Sequence, residues 1–242
     1  MFELLIKLFD LALYRPLFNF LVLLYNYLPG HDFGIAIIIL TIIIRFVLYP
    51  SSMKSIKTQK ALNEIQPKIQ EIQKTHKDDK EKQIKETMAL YKQAKISPFG
   101  GILSAFIQLP LLIALYRVFW RGFQPEELTN LYSFVLNPGF INTSFLGIID
   151  LSRSNIILAV LAGILQFVQT KNMLLKNKGK SDKSSGFAKA MQKQMVYFFP
   201  FLTVVILLTL PSALGLYWIV GSLFLIIEHR IVTKKEAVKE KI

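Results

Sequence analysis

The run GIAIIILTIIIRFVLYP, from Gly34 to Pro50, decides the fold. Crossing ~30 Å of hydrocarbon takes roughly 20 helical residues. A soluble domain can bury its core without uninterrupted apolar runs of that length, so this stretch reads as a membrane span, assigned to 33–50. Four more stretches have the same character: 97–121, 154–173, 195–211 and 212–232. Of the 242 residues, 52% are hydrophobic, which suits a chain that is largely apolar helix. The fold class is therefore an all-α membrane protein with a five-transmembrane-helix core.

The segments between the spans fix a topology. The net charge of +13 would suggest nucleic acid in a soluble protein. Here 23 of the 29 basic residues fall in three segments separated by apolar runs: Lys54–Lys95, Lys171–Lys193 and Arg230–Lys241. Basic residues gather in cytoplasmic segments of membrane proteins. The segments 51–96, 174–194 and 233–242 are accordingly read as cytoplasmic, and 122–153, whose basic residues in this reading are Arg121 and Arg153 at its borders, as extracytoplasmic. Five spans with the N-terminus outside and the C-terminus in the cytoplasm satisfy this pattern.

Segment 51–96 predicts a helical hairpin. Leu62, Ile65, Ile69 and Ile72 make one apolar stripe, and Ile84, Met88 and Tyr91 another, on otherwise charged helices. Thr75 to Asp79 form the turn, with Asp78 and Glu81 spaced as an N-cap and its partner. Lys176–Ser185, rich in Lys, Gly and Ser, predicts a flexible linker. Pro211-Ser212 permits only a tight turn, so span five should return beside span four.

Residues 1–32 predict an amphipathic helix lying in the interface and broken near Pro16. Glu3, Lys7, Asp10, Arg15, Asn19 and Asn26 fall on one half of the wheel; Leu5, Ile6, Phe9, Leu13, Leu17, Phe20 and Leu24 fill the other. The alternative is a sixth span with these charges buried. The N-terminus lacks the basic region and small-residue cleavage site of a signal peptide.

No catalytic constellation is present. The absence of cysteine excludes thiol catalysis, disulfides and zinc-thiolate sites. His31, His76 and His229 share no metal-binding spacing, and no glycine-rich phosphate loop occurs. The chain is read as a non-enzyme without cofactors. Arg45 is the most informative residue, because arginine does not shed its proton and a cation within a span needs relief. It either snorkels to the cytoplasmic interface or faces a water-containing cavity. Glu228 is the one acidic residue in the five spans, near the end of the last, so water or an external anion is the expected partner. Gln108, Gln166, Gln169 and Trp218 add polar groups to spans two, three and five. Each has a bland reading as packing or an interhelical hydrogen bond; with Arg45 they suggest a polar inner face.

These residues carry a resemblance. Thr41-Ile42-Ile43-Ile44-Arg45 with Tyr49-Pro50, Gln66-Pro67-Lys68-Ile69-Gln70, and Ala89-Leu90-Tyr91-Lys92 resemble the first core span and hairpin of the YidC/Oxa/Alb family of membrane insertases. So do Ser97-Pro98-Phe99-Gly100-Gly101 through Gln108-Leu109-Pro110 to Ala114-Leu115-Tyr116, the family's most recognisable motif. Phe145-Leu146-Gly147 with Asp150-Leu151, and Pro211-Ser212-Ala213-Leu214 with Leu216-Tyr217-Trp218, continue the likeness in order. The resemblance implies five helices around a hydrophilic groove, open to cytoplasm and lipid and closed on the outer side. It places Arg45 as the groove arginine, Gln169 or Gln166 as the span-three glutamine and Trp218 as the span-five aromatic, with Gln108 on the same face. The large periplasmic domain and anchor span of Gram-negative members, and the lipoprotein cysteine of many Gram-positive ones, have no counterpart here.

The implied function is insertion of nascent hydrophobic segments into the bilayer, with membrane-protein clients and lipids as partners. The basic hairpin and tail are suited to a ribosome or to anionic lipid. A Sec-type translocon is a candidate partner, and a monomer is the expected functional unit. The rival class is a small-solute transporter or channel, which predicts inverted repeats and broken helices around a central site; no internal repeat stands out.

Overall fold

A computed structural model of the chain describes residues 2–97, 100–121, 124–174 and 194–239. The predicted linker Lys176–Ser185, Pro98-Phe99 of the span-two motif and the last three tail residues lie outside the described residues. Among the described residues eight α-helices follow in order: α1 (Phe2–Phe9), α2 (Arg15–Tyr27), α3 (Phe33–Thr75), α4 (Lys80–Gln93), α5 (Gly100–Arg121), α6 (Ile156–Leu174), α7 (Phe199–Leu207) and α8 (Ser212–Lys239). A two-stranded antiparallel ribbon, β1 (Ser144–Phe145) and β2 (Ile149–Asp150), sits before α6. Four described stretches are long and apolar enough to cross a membrane: Ile6–Tyr27, Phe33–Thr75, Ile156–Met173 and Ser212–Lys234.

The deciding run lies in α3, which is 43 residues long and contains both Pro50 and Pro67. At 1.5 Å per residue it extends about 64 Å, so the span and the first arm of the hairpin are one rod. Pro50 ends the apolar sequence without ending the helix. α3 starts cleanly because Asp32 Oδ1 accepts from Ile35 N at 2.9 Å, satisfying an orphan amide of the first turn.

A short turn after α3 leads into α4. Asp79, not Asp78, caps α4 by accepting from Lys82 N at 2.9 Å. Asp78 lies in the preceding turn, so Glu81 falls one place short of the capping-box position. Gln83 Nε2 donates to the His76 carbonyl at 2.6 Å and ties the turn to the second arm. Ile69 is buried, whereas Ile84 and Met88 on α4 stay exposed.

The N-terminal segment departs from expectation twice. It does not break at Pro16: a π-helical turn, Asp10–Tyr14, leads directly into α2, and the proline falls in the first turn of α2. The residues before it are helical, with Arg15 N donating to the Asp10 carbonyl across the widened turn, so the proline forfeits one backbone bond without ending the helix. The buried stripe is Tyr14, Phe18, Leu21, Val22 and Tyr25, while Leu17, Phe20 and Leu24 are only partly buried on its flank. Asn19, expected on the polar half, is 2% exposed. Its amide donates to the Arg15 and Asn130 carbonyls, and its oxygen accepts from Tyr132 N at 2.6 Å.

Segment 124–153 closes one end of the bundle, called here the loop end. Tyr14 Oη donates to Glu127, Asn26 Nδ2 to the Leu136 carbonyl, and Asn142 N to Tyr25 Oη. Asp10 pairs with Arg117 on α5. The ribbon then covers the start of α3. Asp32 Oδ2 accepts from Leu146 N, and the Phe145 ring fills the space a Cβ on Gly34 would need, 2.1 Å from one ring carbon. The residues just after the ribbon cap α8: Ser212 N donates to the Arg153 carbonyl at 2.8 Å and Ala213 N to the Leu151 carbonyl at 3.1 Å. Hydrogen bonds from Ser152 and Thr143, with Arg153 nearby, hold the Asp150 carboxyl below the usual carboxylate range.

Beneath this cover the helices pack dry. Phe33, Ala36, Ile37 and Leu40 of α3 meet Leu115, Val118 and Phe119 of α5 and Leu214 of α8 in one cluster with Leu151. α8 packs on both α3 and α6. α7 seats chiefly against α6 and touches α8 much less, contrary to the expected side-by-side return. Gly163 explains this: a Cβ there would lie 2.3 Å from Val204 Cγ2, so the bare backbone is what admits α7 to α6. The helical stretch also stops at Leu207, short of the 211 read from sequence.

Candidate functional site

Below the dry cluster, on the hairpin side, α3, α5, α6 and α8 diverge around a cavity of about 350 Å³. Helical spacing explains its lining. On α3, Arg45, Ser52 and Ser55 recur at intervals of seven and three, which puts them on one face together with Leu48 and Ile56. On α6, Gln166, Gln169, Thr170 and Met173 repeat the same spacing, and on α8 Trp218, Ser222 and Leu225 do so. Gln108 of α5 and Tyr217 of α8 complete the wall at the end nearer the dry cluster.

All five residues singled out from sequence thus line one cavity: Arg45, Gln108, Gln166, Gln169 and Trp218. Arg45 stands twelve residues into α3, about 18 Å from the loop end by helical rise. Its guanidinium lies over the Tyr217 ring, 5.9 Å from the centroid, within cation–π range. It also packs on α8 at Gly221, where a Cβ would come 2.4 Å from Nη2. Glycine here leaves the room the guanidinium fills. Arg45 Nε is buried without a hydrogen-bond partner, and Arg45 makes no ion pair among the described residues.

The neighbouring polar groups are held by one another. Gln108 Nε2 donates to Tyr217 Oη at 2.7 Å, fixing the ring under the guanidinium. Trp218 Nε1 donates to Gln166 Oε1 at 2.9 Å, joining α8 to α6. Of the two glutamines on α6, Gln166 is therefore engaged by the tryptophan, and Gln169 faces the cavity one turn further on.

Three features of the site were not singled out from sequence. Tyr217 was quoted only as part of a motif, yet it carries the cation–π contact. Ser51, Ser52 and Ser55 follow the apolar run at helical spacing, a signal visible once α3 is taken through Pro50. Glu228 was noted only as a lone acid; it is 2% exposed, and Ser52 Oγ donates to its Oε2 at 2.7 Å. Its other oxygen, Oε1, is buried without a hydrogen-bond partner among the described residues.

The result is a polar chamber within an apolar bundle, with a cation on its wall that has no ion-pair partner among the described residues. Comparison with known proteins identifies the family. The family model described as 60Kd inner membrane protein matches residues 23–240. A protein of Fusobacterium nucleatum named membrane protein insertase YidC is 34% identical over 227 residues, covering 93% of this chain and 98% of that protein. Proteins of the same name from Clostridium tetani and Oceanobacillus iheyensis are 35% and 34% identical, covering 91% and 87% of this chain and 93% and 78% of theirs.

Proposed function

The chain belongs to the 60 kDa inner membrane protein family, and from that premise we propose that it inserts hydrophobic segments of nascent proteins into the bacterial inner membrane through the cavity around Arg45. Its relatives named membrane protein insertases support the function itself and disfavour the solute-transporter reading. The single observation that carries the mechanism is Arg45: a permanent cation with a buried, unpartnered Nε, on the wall of a polar cavity within the bundle.

The loop end faces outward in this proposal, and the hairpin and tail face the cytoplasm. The lysine distribution supports this orientation. The N-terminal segment then lies along the outer interface. Tyr14, Asn19, Tyr25 and Asn26 all bond to residues 127–142, so both ends of α2 keep to the same side of the bundle. Spans 33–50, 97–121, 154–173, 195–211 and 212–232 form the five-helix core.

A client segment reaches the cavity from the hairpin side. Its short polar tail enters first, where Arg45 offers charge and Gln169 and the serines offer hydrogen bonds. A wet cavity reaching toward mid-bilayer shortens the hydrocarbon path the tail must cross, which reduces the cost of moving polar groups. The apolar part of the client then passes into lipid, driven by burial at ~25 cal/mol per Å². The membrane potential aids an acidic tail by ~2.3 kcal/mol per charge per 100 mV. The lysine-rich hairpin and tail suit a ribosome or anionic lipid, a Sec translocon can act alongside, and one copy of the chain contains the whole cavity.

Reconstituted insertion tests the reading. Arg45→Ala is expected to slow insertion of a client with an acidic outer tail about tenfold, equivalent to ~1.4 kcal/mol of lost stabilisation, while Arg45→Lys largely retains it. Unimpaired insertion by Arg45→Ala would refute the role of the cation.

A further inference from the structure

Glu228 raises a question the insertion mechanism leaves open. The carboxyl lies on a helix that also lines the cavity, yet it is almost fully buried behind the wall, hydrogen-bonded to Ser52 and with one oxygen unpartnered. A buried, half-satisfied carboxyl is expensive within a membrane helix. A hydrogen bond to Ser52 alone needs no acid, because a neutral glutamine oxygen accepts equally well.

Position supplies a reason. On α3, Ser52 stands seven residues past Arg45; on α8, Glu228 stands seven residues past Gly221, the site against which the guanidinium packs. Two helical turns on each helix place the acid about 10.5 Å further toward the hairpin end than the cation. Among the described residues the two form no ion pair, yet unit charges at such a separation still act on one another through the bundle. A direct pair would occupy the guanidinium and close it to clients. A carboxylate two turns away weakens its field while leaving its face free.

We propose that Glu228 is a specificity-determining residue: a fixed counter-charge behind the cavity wall that limits how strongly Arg45 favours acidic client tails. It keeps the cavity near electrical neutrality, so that neutral and weakly basic tails are also admitted. This inference rests on the insertase reading of Arg45 given above.

The test uses the full chain in proteoliposomes and one client carrying an acidic, neutral or basic outer tail. Glu228→Gln keeps the shape and the acceptor for Ser52 but removes the charge. It is expected to raise the acidic-to-neutral insertion ratio about three- to tenfold, the range for unit charges some 10 Å apart in a medium between protein and water. Basic-tail insertion falls in the same variant. Glu228→Asp retains the wild-type ratio. Glu228→Met, neutral and of similar length, shifts the ratio as Gln does, so the result does not hang on one variant folding. A ratio, unlike a rate, is unmoved by simple loss of folded protein. An unchanged ratio in both neutral variants, with Arg45→Ala still selectively impaired on acidic tails, overturns the inference alone. Insertion of acidic tails that is indifferent to Arg45→Ala overturns the insertase reading of Arg45 and this inference with it.

Discussion

The two ends of the bundle handle polar groups in opposite ways. At the loop end Asp32 satisfies α3 with one oxygen and Leu146 N with the other, Asn19 makes three hydrogen bonds, and the first amides of α8 find the Leu151 and Arg153 carbonyls. On the hairpin side, buried polar atoms of Arg45, Asn172 and Glu228 have no hydrogen-bond partner among the described residues; Arg15 is the comparable exception at the loop end. Satisfied polar groups and a dense apolar cluster make a rigid seal. Arg45 is instead an unpartnered group on a cavity wall, a standing cost of the kind retained where a site takes up a partner from outside. The contrast separates the part of the molecule that must not leak from the part that must admit.

Substitutions on each side test the contrast. Leu151 has no exposed surface and sits where the ribbon, α3 and α8 meet. Leu151→Ala is expected to cost about 2–4 kcal/mol, read as a lower thermal midpoint of the purified protein. Asp32→Ala removes the cap of α3 and the tie to the ribbon together, and should cost about 1–2 kcal/mol in the same measurement. If either change proves neutral, the loop end is not the seal described. Gln169→Leu probes the other side. It should alter stability by no more than about 0.5 kcal/mol, yet slow client insertion, because the glutamine faces the cavity rather than holding the fold. Marked destabilisation by this change would erase the distinction between the halves.

Much of this was legible in the sequence, and its failures have physical causes. The run at 34–50 and the lysine-rich segments identify a membrane bundle because length and charge are one-dimensional properties. The five polar residues converge on one cavity because each breaks an apolar helical stripe. Pro50 marks the end of the apolar run but not of α3, because a proline within a long helix forfeits one bond without ending it, here as at Pro67. Asn19 looked solvated on the wheel because its partners, Asn130 and Tyr132, lie more than a hundred residues away. The seat of α7 depends on the missing side chain at Gly163, which sequence alone does not connect to Val204. Glu228 and Ser52 meet across two helices, and only their spacing from Gly221 and Arg45 hints at the pairing.

The central claim is that Arg45 stands in a wet recess reached from the cytoplasm, below a dry seal. The chain has no cysteine, so single-cysteine variants report directly on water. A membrane-impermeant maleimide applied to the cytoplasmic face of inverted vesicles should label Gln169→Cys rapidly and leave Leu40→Cys, on α3 within the dry cluster, at background. If Gln169→Cys is as unreactive as Leu40→Cys, there is no aqueous cavity beside the arginine and the account fails.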